Sequence, residues 1–270
     1  MNSRLTFVDI GHDDPAIVFI HGFTCALSDW NAQLPALSGR NRCVAVDLPG
    51  HGSSAASPEA TIQALAGAVN ETLDRLALKR VVLVGHSMGC RIVSETYTQA
   101  PDRVCGVVYV DGSMLADGDP DAASRAASET IERLGMAGVV ARIYEGFFVE
   151  ITSAAVRAPI DARRAAIDLD FARRLWLDLV RWDASRATAA LSKVNVPALV
   201  IQSTYLNTEL KRVSLVPGQS APWPEAVSKA VKDVTYTVIS GVGHFPMSEA
   251  PRETNAAIAG FVRRLCENAT

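Results

Sequence analysis

The sequence has no long apolar run. Nothing in its 270 residues approaches the roughly 20 consecutive apolar residues of a membrane-spanning helix. Met1–Asp14 also lacks the charged-then-apolar order of a secretory signal peptide, so a soluble, cytoplasmic protein is expected. Excess charge of one sign is missing too. The formal net charge is -3 and no block of like charges occurs, so there is no basic face for a phosphate backbone or an anionic lipid. Nucleic acid and membrane are therefore excluded as expected partners, and a small-molecule substrate remains. The cysteines (Cys25, Cys43, Cys90, Cys105 and Cys266) are odd in number and never spaced as Cys-x-x-Cys or near a histidine pair. They read as buried thiols rather than as a disulfide framework or a metal site. Internal repeats and low-complexity linkers are absent as well.

What is present is apolar and alternating. With 49% hydrophobic residues the chain can bury a large core, as one α/β domain carrying an insertion. Strand-like runs occur at Leu5–Val8, Ala16–Ile20, Cys43–Val46, Val81–Val84, Val104–Val110, Ala198–Ile201 and Thr235–Ile239. Between them, Asp29–Leu37, Thr61–Leu76, Gly89–Gln99 and Arg252–Leu265 carry helical spacing. This alternation predicts a mostly parallel, twisted sheet covered by helices. It breaks once, over Gly112–Ser192, where amphipathic stretches recur without a convincing strand. The expected organisation is a core of 1–111 and 193–270 interrupted by a helical cap at 112–192. Ligand sites of open α/β sheets lie beyond the strands' carboxyl ends, so the cap aromatics Phe147, Phe148, Trp176 and Trp182 are candidate pocket walls.

The chemistry centres on Val81–Cys90, VVLVGHSMGC. An apolar strand runs into Gly85-x-Ser87-x-Gly89 and then into a helix, the context that a nucleophile elbow requires. Gly85 and Gly89 stand where Cβ atoms would collide in a tight strand-to-helix turn. Such a turn presents the Ser87 hydroxyl above the sheet and aims the Met88 N–H at the same point. A serine nucleophile needs a base, usually a histidine oriented by a carboxylate. His21 and His51 lie in glycine turns, His86 points away from its neighbour Ser87, and His12 sits in a polar turn. His244, after the flexible entry Gly241-Val242-Gly243, remains as the base. The orienting acid is Asp111, at the end of the run beside the elbow strand, with Glu209 as the alternative. The Phe23 N–H, in the loop after Ala16–Ile20, would join that of Met88 as an oxyanion hole.

With these motifs assembled, the sequence resembles the α/β-hydrolase superfamily along nearly its whole length. The residues that carry the resemblance are His21-Gly22-Phe23, Asp47-Leu48-Pro49-Gly50-His51-Gly52-Ser53, Gly85-His86-Ser87-Met88-Gly89, Asn195-Val196-Pro197 and Gly243-His244-Phe245. The resemblance implies a Ser-His-acid hydrolase with a helical cap and without metal or organic cofactor. It also marks Asp47 and His51 as a structural turn. The chain departs from the usual family pattern after the seventh strand, where Val200–Asn207 offers no aspartate; an acid after the sixth is similar to that of some haloalkane dehalogenases and cofactor-free dioxygenases. Dehalogenases and epoxide hydrolases of this fold attack with aspartate, and Ser87 occupies that position here. The expected activity is cleavage of a carboxylic ester with a compact apolar or aromatic acyl group, and lactones, thioesters and C–C bonds remain open. The alternatives are a dioxygenase that uses a His-Asp base on an aromatic hydroxy-ketone, and a non-catalytic binding protein.

Overall fold

The apolar runs at Ala16–Ile20 (β2) and Val81–His86 (β4) are buried on both faces because they lie side by side in the middle of a sheet. A computed structural model describes residues 4–207 and 211–267. The sheet has seven strands in the order β1-β3-β2-β4-β5-β6-β9, with β1 at Phe7–Ile10, β3 at Cys43–Val46, β5 at Val104–Val110, β6 at Ala198–Gln202 and β9 at Val234–Val238. All pairings are parallel except β1 with β3. A separate small hairpin, β7 (Thr204–Leu206) with β8 (Arg212–Ser214), follows β6.

Helices cover the sheet: α1 (Leu34–Leu37), α2 (Ile62–Arg75), α3 (Met88–Gln99), α7 (Pro222–Ala230), α8 (Pro246–Glu249) and α9 (Pro251–Glu267). Residues 112–192 hold α4 (Pro120–Glu145), α5 (Ala154–Arg163), α6 (Leu169–Ser192) and no strand. Within α4 the chain kinks at Gly135, whose φ of 68° breaks the helical ladder.

Some expected boundaries shift for local reasons. The first strand is Phe7–Ile10 rather than Leu5–Val8, because its antiparallel register pairs Phe7 with Val46 and Ile10 with Cys43. Asp29–Leu37 is not one helix: a 3₁₀ turn at Leu27–Trp30 precedes α1, and Pro35 stands in the first turn of α1, where its missing N–H is tolerated. Cys105 and Cys266 are half-buried, whereas the other cysteines are buried.

The parallel register sets the site. Gly85 pairs with Tyr109 and His86 with Val110, so the residues that follow β4 and β5 emerge side by side. The Ser87 N–H donates to Val110 O at 3.0 Å and the Asp111 N–H to Ile201 O at 2.8 Å. The loops after β2, β6 and β9 meet at the same carboxyl edge, where α4, α6 and the loops that join them touch the core. Tyr144 donates to Thr24 O at 3.3 Å, and the rings of Trp176 and Phe23 are 5.4 Å apart.

Candidate active site

Ser87 has φ 55° and ψ −116°, a strained conformation for a residue with a side chain. Three glycines make room for it. A Cβ on Gly89 would stand 2.4 Å from Ile20 O, one on Gly85 2.3 Å from Gly89 O, and one on Gly22 3.1 Å from the Ser87 Cβ. The turn therefore brings the loop after β2 against Ser87. Met88 is the first residue of α3, so its N–H has no partner within the helix. The Phe23 N–H likewise has no backbone acceptor among the described residues. Both N–H groups lie next to residues of this turn, one directly after Ser87 and one directly after Gly22.

The Ser87 hydroxyl donates to His244 Nε2 at 2.9 Å, and His244 Nδ1–H donates to Asp111 Oδ2 at 2.6 Å. His244 and Asp111 are fully buried. Asp111 leaves β5 with φ 44°, which turns its carboxylate toward the segment after β6. There Oδ1 accepts from Ser203 N at 2.8 Å and Thr204 N at 2.7 Å, while Oδ2 accepts from Thr204 Oγ1 at 2.6 Å. Arg212 Nη1 lies 3.4 Å from Oδ2. Burial alone would raise the Asp111 pKa, but the hydrogen bond and charge of His244, then Arg212 and Thr204, hold it down at about 2. His244 is pushed down to about 4 by burial first and by Arg212 next, against the opposing pull of Asp111. At neutral pH the site thus holds a carboxylate and a neutral imidazole whose Nε2 can accept a proton.

The backbone around His244 is also fixed. Its N–H donates to Phe147 O at 3.0 Å, and its carbonyl accepts from His86 Nε2 at 2.7 Å. Glu249 accepts from Gly243 N at 3.0 Å and from Phe245 N at 3.2 Å, one amide on each side of the histidine. The Ser203 hydroxyl sits between Asp111 Oδ1 at 3.0 Å and Gly243 O at 2.8 Å.

The four aromatic candidates fall in different places. The Phe147 ring lies 5.3 Å from the His244 imidazole, and Trp176 packs on Phe23. Phe148 stands one layer back, stacked on Phe245 at 6.3 Å, and the Arg157 guanidinium lies over its ring at 5.1 Å. Trp182 is not a wall of this site. Its indole N–H donates to Glu95 on α3 at 2.8 Å, and the ring is buried between α6 and α3. Its helical spacing identified a buried face but not which neighbour that face meets.

Two other histidines hold turns. His21 Nε2 accepts from Leu48 N at 3.0 Å, and His51 Nδ1 donates to Pro49 O at 3.0 Å. Asp47 accepts from Leu27 N and Ser53 N, both at 2.8 Å. The alternative acid, Glu209, lies outside the described residues. Sequence reasoning missed Ser203, Thr204, Arg212 and Glu249. Only Glu249 left a signal, as a carboxylate in the first turn of a helix, where free amides attract one. Among the described residues, no group of three or more His, Cys, Asp or Glu side chains could hold a metal ion, and no helix is long and apolar enough to cross a membrane.

Known proteins share this architecture. Over 97% of the chain and 93% of its counterpart, the structure matches a thermophilic esterase from Thermogutta terrifontis, with a TM-score of 0.75 and 25% identity. A mouse sn-1-specific diacylglycerol lipase, ABHD11, is 38% identical over 99 residues, which cover 36% of this chain and 32% of that one. The dihydrolipoyllysine-residue acetyltransferase component of the acetoin cleaving system of Cupriavidus necator is 36% identical over 110 residues, covering 40% of this chain and 29% of that one. Each of these two matches spans less than a third of the curated relative's own length. The model of the alpha/beta hydrolase family matches residues 17–257, nearly the full length of the sheet, and the chain belongs to that family.

Proposed function

We propose that the protein is a serine hydrolase that cleaves a carboxylic ester through an acyl-enzyme. The observation that carries this reading is the continuous line from Ser87 Oγ through His244 to Asp111, at 2.9 Å and 2.6 Å. Ser87 Oγ attacks the acyl carbon while His244 Nε2 takes its proton, and Asp111 holds Nδ1–H and stabilises the imidazolium. The free N–H groups of Phe23 and Met88 receive the developing oxyanion. His244 then gives its proton to the departing alkoxide, which leaves as the alcohol. A water molecule, deprotonated by the same nitrogen, attacks the acyl-enzyme and frees the acid and Ser87.

In this reading residues 112–192 form a cap over the site. Phe147 beside His244 and Trp176 beside Phe23 support an apolar or aromatic acyl group of compact size. The match to an esterase over nearly the whole chain supports the reaction class.

The test is hydrolysis of a panel of short-chain and aryl esters by the wild type and by Ser87→Ala. Loss on the order of 10⁶-fold in turnover is expected where the triad works as a unit. Ester hydrolysis that survives intact in Ser87→Ala overturns the reading. Inert esters together with oxygen uptake on a hydroxyquinolone would move the assignment to the cofactor-free dioxygenases.

A further inference from the structure

Asp111 is fully buried, yet a second charge reaches it. Arg212 projects from β8, with only 10% of its side chain exposed. Its Nη1 lies 3.4 Å from Asp111 Oδ2 and 3.1 Å from Thr204 Oγ1, and the same threonine hydroxyl donates to Oδ2 at 2.6 Å. The hairpin after β6 therefore brings a guanidinium to the acid that β5 supplies.

Other charged and titratable groups face this cluster. The His86 ring on β4 lies 4.5 Å from that of His244, tilted by 47°. Arg91 on α3 is near enough to act on both His244 and Arg212, but its guanidinium is paired bidentately with Asp183 at 2.7 Å and 2.6 Å. Cys25 and Cys90 are buried thiols that stay protonated, and Tyr236 on β9 is near enough to sense the charge of Asp111. Among the described residues, Asp111 is the carboxylate with which Arg212 forms an ion pair.

We propose that Arg212 is a positioning residue: its guanidinium balances the charge of Asp111, so that His244 stays unprotonated and able to take the Ser87 proton in mildly acidic solution. The inference rests on the triad reading given above. The physics is a competition for one carboxylate. A buried Asp111 with no other cation would draw a proton onto His244 to neutralise itself, and imidazolium cannot act as a base. With Arg212 present that demand is already met. The cost is a less basic imidazole, so removing the cation should spare the rate at high pH while moving the pH at which the site switches off. The low pKa of His244, caused by burial first and Arg212 second, agrees with this arrangement.

The experiment follows the rate at which a fluorophosphonate reacts with Ser87 across the acidic range, in the wild type, Arg212→Met and Arg212→Lys. In Arg212→Met the acid limb should move up by about one pH unit or more, with the alkaline plateau retained. Arg212→Lys, which restores a cation, should return the limb most of the way. An acid limb at the same pH in wild type and Arg212→Met overturns the inference while leaving the triad intact. No adduct on Ser87 of the wild type at any pH is failure of the triad reading itself. If Arg212→Met does not fold, Arg212→Gln keeps a donor for Thr204 and gives the same readings. If neither folds, the imidazole resonances of the wild-type protein decide. Titration of His244 at or above the ordinary histidine value of about 6.5 overturns the proposal.

Discussion

Thr152, in the loop between α4 and α5, donates to Glu249 Oε2 at 2.7 Å, and the same oxygen accepts from Gly243 N at 3.0 Å. One carboxylate thus joins the segment after Phe147 to the turn that presents His244. The neighbouring bond from His244 N to Phe147 O adds a second tie between the same two pieces of chain. Glu249→Gln leaves one carbonyl oxygen to serve three donors, so the turn should loosen. Turnover is expected to fall roughly 10- to 100-fold with KM little changed, because displacement of the base by about an ångström costs rate rather than binding. A rise in KM alone would place Glu249 in substrate binding instead.

The orienting acid is tested by exchanging one atom. In Asp111→Asn the amide oxygen can still accept from Ser203 N and Thr204 N, as Oδ1 does now. The amide nitrogen then faces His244 Nδ1, where two donors would meet, and the imidazole is held with the wrong nitrogen protonated. Turnover should drop about 10⁴-fold while thermal unfolding shows a folded protein. Near-wild-type turnover in Asp111→Asn would remove Asp111 from the triad.

Stability should depend on acidity in a direction set by buried histidines. Burial pushes His51 and His244 down to about 4, and His21 and His86 well below 6.5. Between its lowered value and the ordinary one, each binds more protons unfolded than folded, so stability is full above about 6.5 and is lost as pH falls toward 4. Asp111, held low, acts in the same sense below the ordinary carboxylate range. His51 alone corresponds to about 3 kcal/mol once the pH is below its folded value of about 4. The unfolding temperature should therefore decrease from about pH 7 to about pH 5. A flat or rising profile would contradict neutral burial of these rings.

Two tryptophans on one helix should behave differently. Trp176 packs on Phe23, so Trp176→Ala should change the preference among acyl groups more than the rate on a small acetyl ester. Trp182→Phe removes a donor from Glu95 and leaves that buried carboxylate to Arg186, at a cost of roughly 1–3 kcal/mol of stability without a change in preference. The opposite pattern would exchange their roles.

Those two residues also show where sequence pattern stops being informative. Helical spacing over residues 112–192 marks which side chains are buried, but both the sheet edge and α3 offer an apolar surface, and only tertiary packing separates them. The strand–turn–helix at Ser87 was legible because steric exclusion at Gly85 and Gly89 leaves its mark in the residue types themselves. His244 could be found by setting aside histidines whose turns already employ them, as His21 and His51 prove to be. Asp111 stands at a strand end beside the elbow, a place that the sequence marks, and its Oδ2 meets His244 Nδ1 at 2.6 Å. Arg212 was not legible, because three-residue strands such as β7 and β8 are too short for periodicity to register. Arg212 reaches its place through an antiparallel pairing that sets it opposite Leu206.

Mapping a fluorophosphonate adduct by mass spectrometry tests most directly whether Ser87 is the nucleophile. The intact protein should gain a single adduct, located on the peptide that carries Ser87, and prior protonation of His244 or the substitution His244→Ala should suppress it. A protein that remains unlabelled while folded, or an adduct located on any other residue, would contradict the account.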